Sequence, residues 1–249
     1  MRRLLLMVVI FSTFLSCTSC RKEAPVGPTS SVTLSIKTVF GQEPFIAGES
    51  YAYPSAGEIK FDELGFFLSD ISLITENGTD AVTLEDITYL NIADIQDDAS
   101  SADKGWIKVY YRVPLGVYKG IRFGLGVSHE ENSQAPKDFA ESNPLGVAER
   151  YSGQYFSYIF ENVSGQYDDG DTSVFSINIL QDKMYKEVTL SNDFEITSSG
   201  KEIKLTFDLE KMFQRNDSIL DLTQYPLILS PALPQMEWLS KNLEDSFSF

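Results

Sequence analysis

The sequence predicts an all-β fold, an antiparallel β-sandwich with a C-terminal amphipathic helix, on the strength of three patterns. Apolar residues alternate with polar or small ones in several runs, the longest from Val117 to Val127, which is the period of a strand with one buried face. Turn residues separate the runs, with Pro114 and Gly116 before that strand and Asn77-Gly78 earlier, where proline fixes φ and glycine frees it. Beyond Pro234 the period changes. Met236, Leu239, Leu243 and Phe247 recur at spacings of three and four, one stripe of a helix with proline in its first turn.

Along the chain, residues 1–20 read as an export leader: Arg2 and Arg3, an apolar run from Leu4 to Leu15, then small residues and cysteine. The run is short for a membrane-spanning helix, which leaves an uncleaved anchor as the lesser alternative. The sequence LSCTSCRK has the form of a bacterial lipobox, with Cys20 the expected lipidated residue and Cys17 its competitor. Residues 21–30 then form a tether and 31–249 a single domain. With both cysteines in the leader region, the domain is expected to hold neither disulfide nor cysteine ligand. The net charge of −16 argues against nucleic acid and suits an extracytoplasmic, periplasmic or cell-surface, setting on a membrane held through the lipid.

A first strand runs from Val32 to Phe40. Gly41 to Gly57 is a loop anchored by Tyr51 and Tyr53, and Gly57 to Ile74 a strand whose apolar parity changes near Ser69-Asp70, the mark of a bulge. Asn77-Gly78 predicts a type I′ hairpin onto Ala81–Leu84, with a further strand near Tyr89–Ile92. Asp94 to Gly105 reads as a solvated acidic loop. Trp106–Val113 puts Ile107, Val109, Tyr111 and Val113 on one face and leads into a hairpin at Pro114. In the next strand Gly120, Gly124 and Gly126 strip one face, as where a ring packs over the backbone. Strands are expected again at Tyr158–Val163, Val174–Leu180, Lys186–Leu190 and Glu202–Leu209, with a short helix at Asp208–Gln214.

Chemistry is sparse. The alternation stops for about thirty residues after Val127, a length that marks a functional or disordered loop, and this loop holds the only histidine, His129, beside Glu130, Glu131 and Asn132. A lone imidazole reads first as a surface residue and second as a metal ligand. Asp168, Asp169 and Asp171 surround Gly170 as in calcium loops, without the full D-x-D-x-D-G spacing, so an acidic turn is the competing reading. Tyr151, Tyr155, Phe156, Tyr158 and Phe160 form an aromatic cluster, with Phe156, Tyr158 and Phe160 predicted on one core-facing side. Were that face outward, it would be a platform for a glycan or peptide. No nucleophile elbow, phosphate-binding glycine loop or metalloprotease helix occurs, so the expectation is a protein that is not an enzyme.

The ordered landmarks GEIKFDELGFFLSDISLI, VPLGVYKGIRFGLGV and SYIFENVSG, with a final helix carrying Asn242 before Phe247, resemble the MbnP-like family of bacterial extracytoplasmic copper-binding proteins from about Val32 onward. The resemblance implies a β-sandwich, a lipid-anchored or periplasmic setting, and copper held by histidines and an oxidised tryptophan. Here the segment Arg150 to Tyr158 has no tryptophan, Phe175-Ser176-Ile177-Asn178 puts Asn178 where the family has histidine, and Leu229-Ser230-Pro231 lacks a further one. The resemblance thus implies copper binding or handling through His129, Glu130 and the Asn178 strand, while calcium at Asp168, Asp169 and Asp171 is the weaker alternative read from those residues themselves. The other reading is a surface lipoprotein that has lost the copper site and binds a glycan or protein. Amide and carboxylate are poor donors to Cu(I).

Overall fold

The computed structural model describes residues 27–249, so the predicted leader and both cysteines lie outside the described residues. Its main strands are β1 (Thr29–Phe40), β2 (Glu58–Thr75), β3 (Ala81–Asn91), β4 (Trp106–Pro114), β5 (Gly116–Leu125), β6 (Ser157–Asp168), β7 (Thr172–Leu180), β8 (Lys186–Ile196), β9 (Lys201–Asp208) and β10 (Phe247–Ser248). The helices are α1 (Ile92–Ile95), α2 (Ala99–Lys104), α3 (His129–Asn132), α4 (Glu210–Phe213) and α5 (Pro234–Glu244). None among the described residues is long and apolar enough to cross a membrane.

The strands form two packed sheets, as the alternation predicts. One contains β10, β9, β1 and β4; the other runs β8-β5-β2-β6-β7, with β3 also paired to β2. The sheets are mixed rather than purely antiparallel, because β1 and β9 run parallel from Val32 opposite Lys201 to Val39 opposite Asp208. Parallel neighbours need a long crossover, and here β2 to β8 lie between them in sequence; the second sheet adds a parallel pair of its own, Ser176 and Ile177 of β7 with Leu227 and Ile228. Phe66 of β2 meets Phe207 of β9 at 5.2 Å between ring centroids, and Phe247 stacks on Phe207 at 4.7 Å and edges onto Phe123 at 5.1 Å. Fully burying each such ring contributes roughly 2–3 kcal/mol.

Several local expectations change. Pro114 to Gly116 is a corner between the sheets and not a hairpin: β4 pairs with β1, while β5 pairs with β2 and β8. Arg112 sits at φ 63 opposite a register shift at Ser30/Val32, a bulge that lets Tyr110 and Val113, three residues apart, both face inward. Ile107, Val109 and Tyr111 consequently face solvent. In β5, Gly120 at φ 155 accompanies another register shift, so Tyr118 rather than Val117 is buried, stacked on Phe194. The expected ring cover is present over two of the three glycines: a Cβ on Gly126 would lie 2.5 Å from the Phe160 ring and one on Gly124 would strike the Tyr185 hydroxyl, whereas one on Gly120 would meet the Leu190 carbonyl of the neighbouring strand.

The predicted bulge in β2 is found, with Asp70 at φ 51 and a register shift between Ser69 and Ser72. The hairpin at Asn77-Gly78 forms with another turn. Asn77 accepts the Thr79 and Asp80 N–H groups through Oδ1, leaving Gly78 alone at positive φ, and the returning strand runs unbroken as β3. The acidic stretch is not simply solvated. Asp98 caps α2 by accepting the Ser101 N–H, and buried Gln96 joins the Thr38 and Phe45 backbones. At the end of the chain, Met236, Leu239 and Leu243 form the buried face of α5, while Phe247 has left the helix for β10.

Candidate functional site

The thirty residues after β5 are ordered, and they cover the face of β2 opposite the main core. Phe67 and Tyr89 meet at 4.9 Å, Phe67 and Tyr158 at 5.9 Å, and Tyr151 closes on Tyr158 at 5.1 Å. Tyr158 Oη donates to the Leu145 carbonyl at 2.7 Å, and the Arg150 guanidinium lies 3.8 Å from the Tyr89 ring. This second, smaller core gives the loop a rigid base. On it stands α3, whose first turn follows from the Ser128-x-x-Glu131 spacing: the Glu131 N–H donates to Ser128 Oγ, and the Ser128 hydroxyl lies 3.2 Å from Glu131 Oε2. Burial pushes the Glu131 carboxyl up, against the lowering effect of its bond to Ser128.

Between α3 and the segment after β7 opens a cleft of about 400 Å³ walled by His129, Asn132, Ser133, Tyr155, Phe156, Gln181 and Asp182. His129 is 84% exposed, and its Nδ1 is 2.5 Å from Asp182 Oδ2. Asp182 Oδ1 accepts from Asn132 Nδ2 at 2.7 Å. Asn132 is buried, and its Oδ1 accepts the Tyr158 N–H at 2.8 Å and lies 3.2 Å from Ser157 Oγ, which itself accepts the Gln181 N–H at 2.9 Å. A continuous relay thus runs from the β6 backbone through Asn132 and Asp182 to His129. A carboxylate on one imidazole nitrogen fixes the ring and leaves the other nitrogen for a ligand, as behind metal-bound histidines.

Two cleft residues hold unusual backbones. Phe156, at φ 51, and Gln181, at φ 77, occupy the left-handed region, which costs a non-glycine residue about 1–3 kcal/mol and clusters at binding sites. Phe156 was expected beside Tyr158 and Phe160 in the core. It instead sits in the turn before β6, 77% exposed, while Tyr158 and Phe160 are buried.

The other predicted site residues lie elsewhere. Glu130 is exposed on α3, its carbonyl accepting from Ser133 Oγ. Asn178 pairs across the sheet with Asn162, its Oδ1 buried without a partner, and is not a wall of the cleft. Asp168 braces the β6–β7 hairpin, accepting from the Gly170 N–H at 2.9 Å and Thr172 Oγ1 at 2.7 Å, bonds that hold its carboxyl low; it is exposed, as are Asp169 and Asp171. Among the described residues no group of three or more His, Cys, Asp or Glu is placed to hold a metal ion. Sequence reasoning missed Asp182 altogether, since a lone Asp after a strand carries no signal. The Ser128-x-x-Glu131 capping pattern could have placed His129 on a helix.

The family model for MbnP matches residues 29–230. The chain belongs to the MbnP family. Its fold is also similar to the solved structure of MbnP from Methylosinus trichosporium, with a TM-score of 0.53 and 14% identity over 77% of this chain and 80% of that one. No curated protein matches. The MbnP fold therefore accounts for the sandwich, and the cleft residues must be judged on their own chemistry.

Proposed function

We propose that this MbnP-family chain is a non-enzymatic, lipid-anchored extracytoplasmic binding protein whose binding surface is the His129 cleft, and that copper is the metal its imidazole takes. The observation that supports this reading is the relay that fixes His129 from behind through Asp182 and Asn132. The histidine is therefore presented rather than merely exposed. One imidazole and a neighbouring carboxylate do not close a Cu(I) site, which favours sulfur and nitrogen donors. If copper binds here, His129 Nε2 would be the one protein donor, and the remaining donors would have to come from another molecule.

A Cu(I) competition titration of the mature chain against a chromophoric chelator tests it. One equivalent is expected to bind weakly, competing only with a low-affinity chelator, because a single imidazole leaves the Cu(I) site open. His129→Ala abolishes that binding, and Asp182→Asn weakens it about tenfold or more by releasing the ring. No competition by the unsubstituted protein would sink the copper reading.

A second reading rests on Phe156. Its ring is held outward beside Tyr155 on the same wall of the cleft, as in a stacking surface for a glycan or peptide. Here Phe156→Ala removes retention on a glycan or peptide array while His129→Ala leaves it unchanged; the opposite pattern eliminates the stacking reading.

A further inference from the structure

Strand β4 lies at the edge of the first sheet, paired with β1. Ile107, Val109 and Tyr111 alternate along β4 and are exposed, Tyr111 by 77%, and exposed Val117 follows beyond the corner. The first described residues lie against the same end of the strand. Thr29 pairs with Pro114, Ser30 with Val113, and the Leu115 N–H donates to the Pro28 carbonyl at 3.1 Å. Counted along the sequence, nine residue steps separate Cys20 from Thr29, a reach of at most about 30 Å for fully extended chain.

We infer that this β4 face docks on the lipid bilayer to which the chain is tethered. The inference rests on lipidation at Cys20. An anchor so close to Thr29 keeps Tyr111 and Val117 within reach of the headgroup region, where tyrosine is favoured and apolar side chains gain by leaving water. Exposed Arg112 stands beside them and supplies the cation that such a surface accommodates. Side-chain insertion adds a second attachment beside the lipid.

Hydroxyl-radical footprinting provides the test, because Tyr111 and Phe156 are equally exposed in the protein itself, at 77% each. The lipidated full-length protein on phosphatidylglycerol–phosphatidylethanolamine vesicles is compared with soluble Cys20→Ser protein. Oxidation of Tyr111 is expected to fall severalfold on vesicles while that of Phe156 is unchanged. Equal oxidation of Tyr111 in vesicle-bound and soluble protein would overturn the docking while leaving the anchor intact. Failure of the unsubstituted protein to float with vesicles would overturn the anchor and the docking together. Concentration-dependent protection of Tyr111 in the soluble protein would assign the face to a second copy of the chain and overturn the bilayer assignment.

Discussion

Replacing Glu161 with leucine is expected to stabilise the domain and to remove most of the fall in stability expected of the unsubstituted protein as pH rises. Glu161 lies on β6 opposite Phe66, buried, with Oε1 lacking any hydrogen-bond partner. It borders a cavity of about 20 Å³ whose other walls include Phe66, Ile179, Met184, Leu243 and Phe247. Burial alone pushes its carboxyl from 4.5 to about 8. Lys186 also lines the cavity, but its Nζ donates to the Lys183 and Tyr185 carbonyls.

The sign follows from proton counts. Below pH 4.5 the acid is protonated in both folded and unfolded chains. Between 4.5 and about 8 the unfolded chain loses the proton while the folded one keeps it, so stability falls with rising pH, by on the order of 5 kcal/mol across the window, and then levels off. Denaturant midpoints at pH 5, 6.5 and 8 measure this. Glu161→Gln flattens the profile but keeps a buried unpaired amide; Glu161→Leu flattens it and adds about 1–3 kcal/mol by replacing an unsatisfied polar group with an apolar one. A protonated-carboxyl infrared band at pH 7, absent in Glu161→Gln, is the direct signature. Parallel pH profiles for all three proteins would show that Glu161 is not the cause.

Glu161 also marks the limit of what alternation discloses. Strict period 2 places it opposite Phe160 in β6, yet both are buried. The register between β6 and β7 slips at Ile179/Leu180, and the local disruption of the pleat allows adjacent residues to be enclosed. The same physics misassigned β4 and Val117, since each bulge reverses every later inside–outside assignment. Strand positions and the helix after Pro234 were legible because they rest on many residues each. The choice of sheet was not, for Pro114-Leu115-Gly116 can close a hairpin or turn a corner with the same residues. His129 was legible as an isolated imidazole. Its meaning was not, because Asp182 comes from 53 residues away.

Asn132→Ala is expected to damage fold and cleft together, and it separates the relay from its exposed end. The buried amide accepts the Tyr158 N–H and donates to Asp182. Truncation leaves the Tyr158 N–H without that acceptor, at a cost of about 2–3 kcal/mol, and frees Asp182 from the orientation that fixes His129. Amide hydrogen exchange reads the first effect as lost protection at Tyr158. Copper titration reads the second as a loss at least as large as that of Asp182→Asn. The contrast lies in stability: Asp182 is half exposed, its pair with His129 lies at the surface, and surface pairs contribute about 0–1 kcal/mol. Asp182→Asn should therefore weaken binding while leaving the denaturation midpoint nearly in place. If Asn132→Ala kept both Tyr158 protection and copper affinity, the relay would be a crossing of independent hydrogen bonds, and His129 would have to be held by something other than β6.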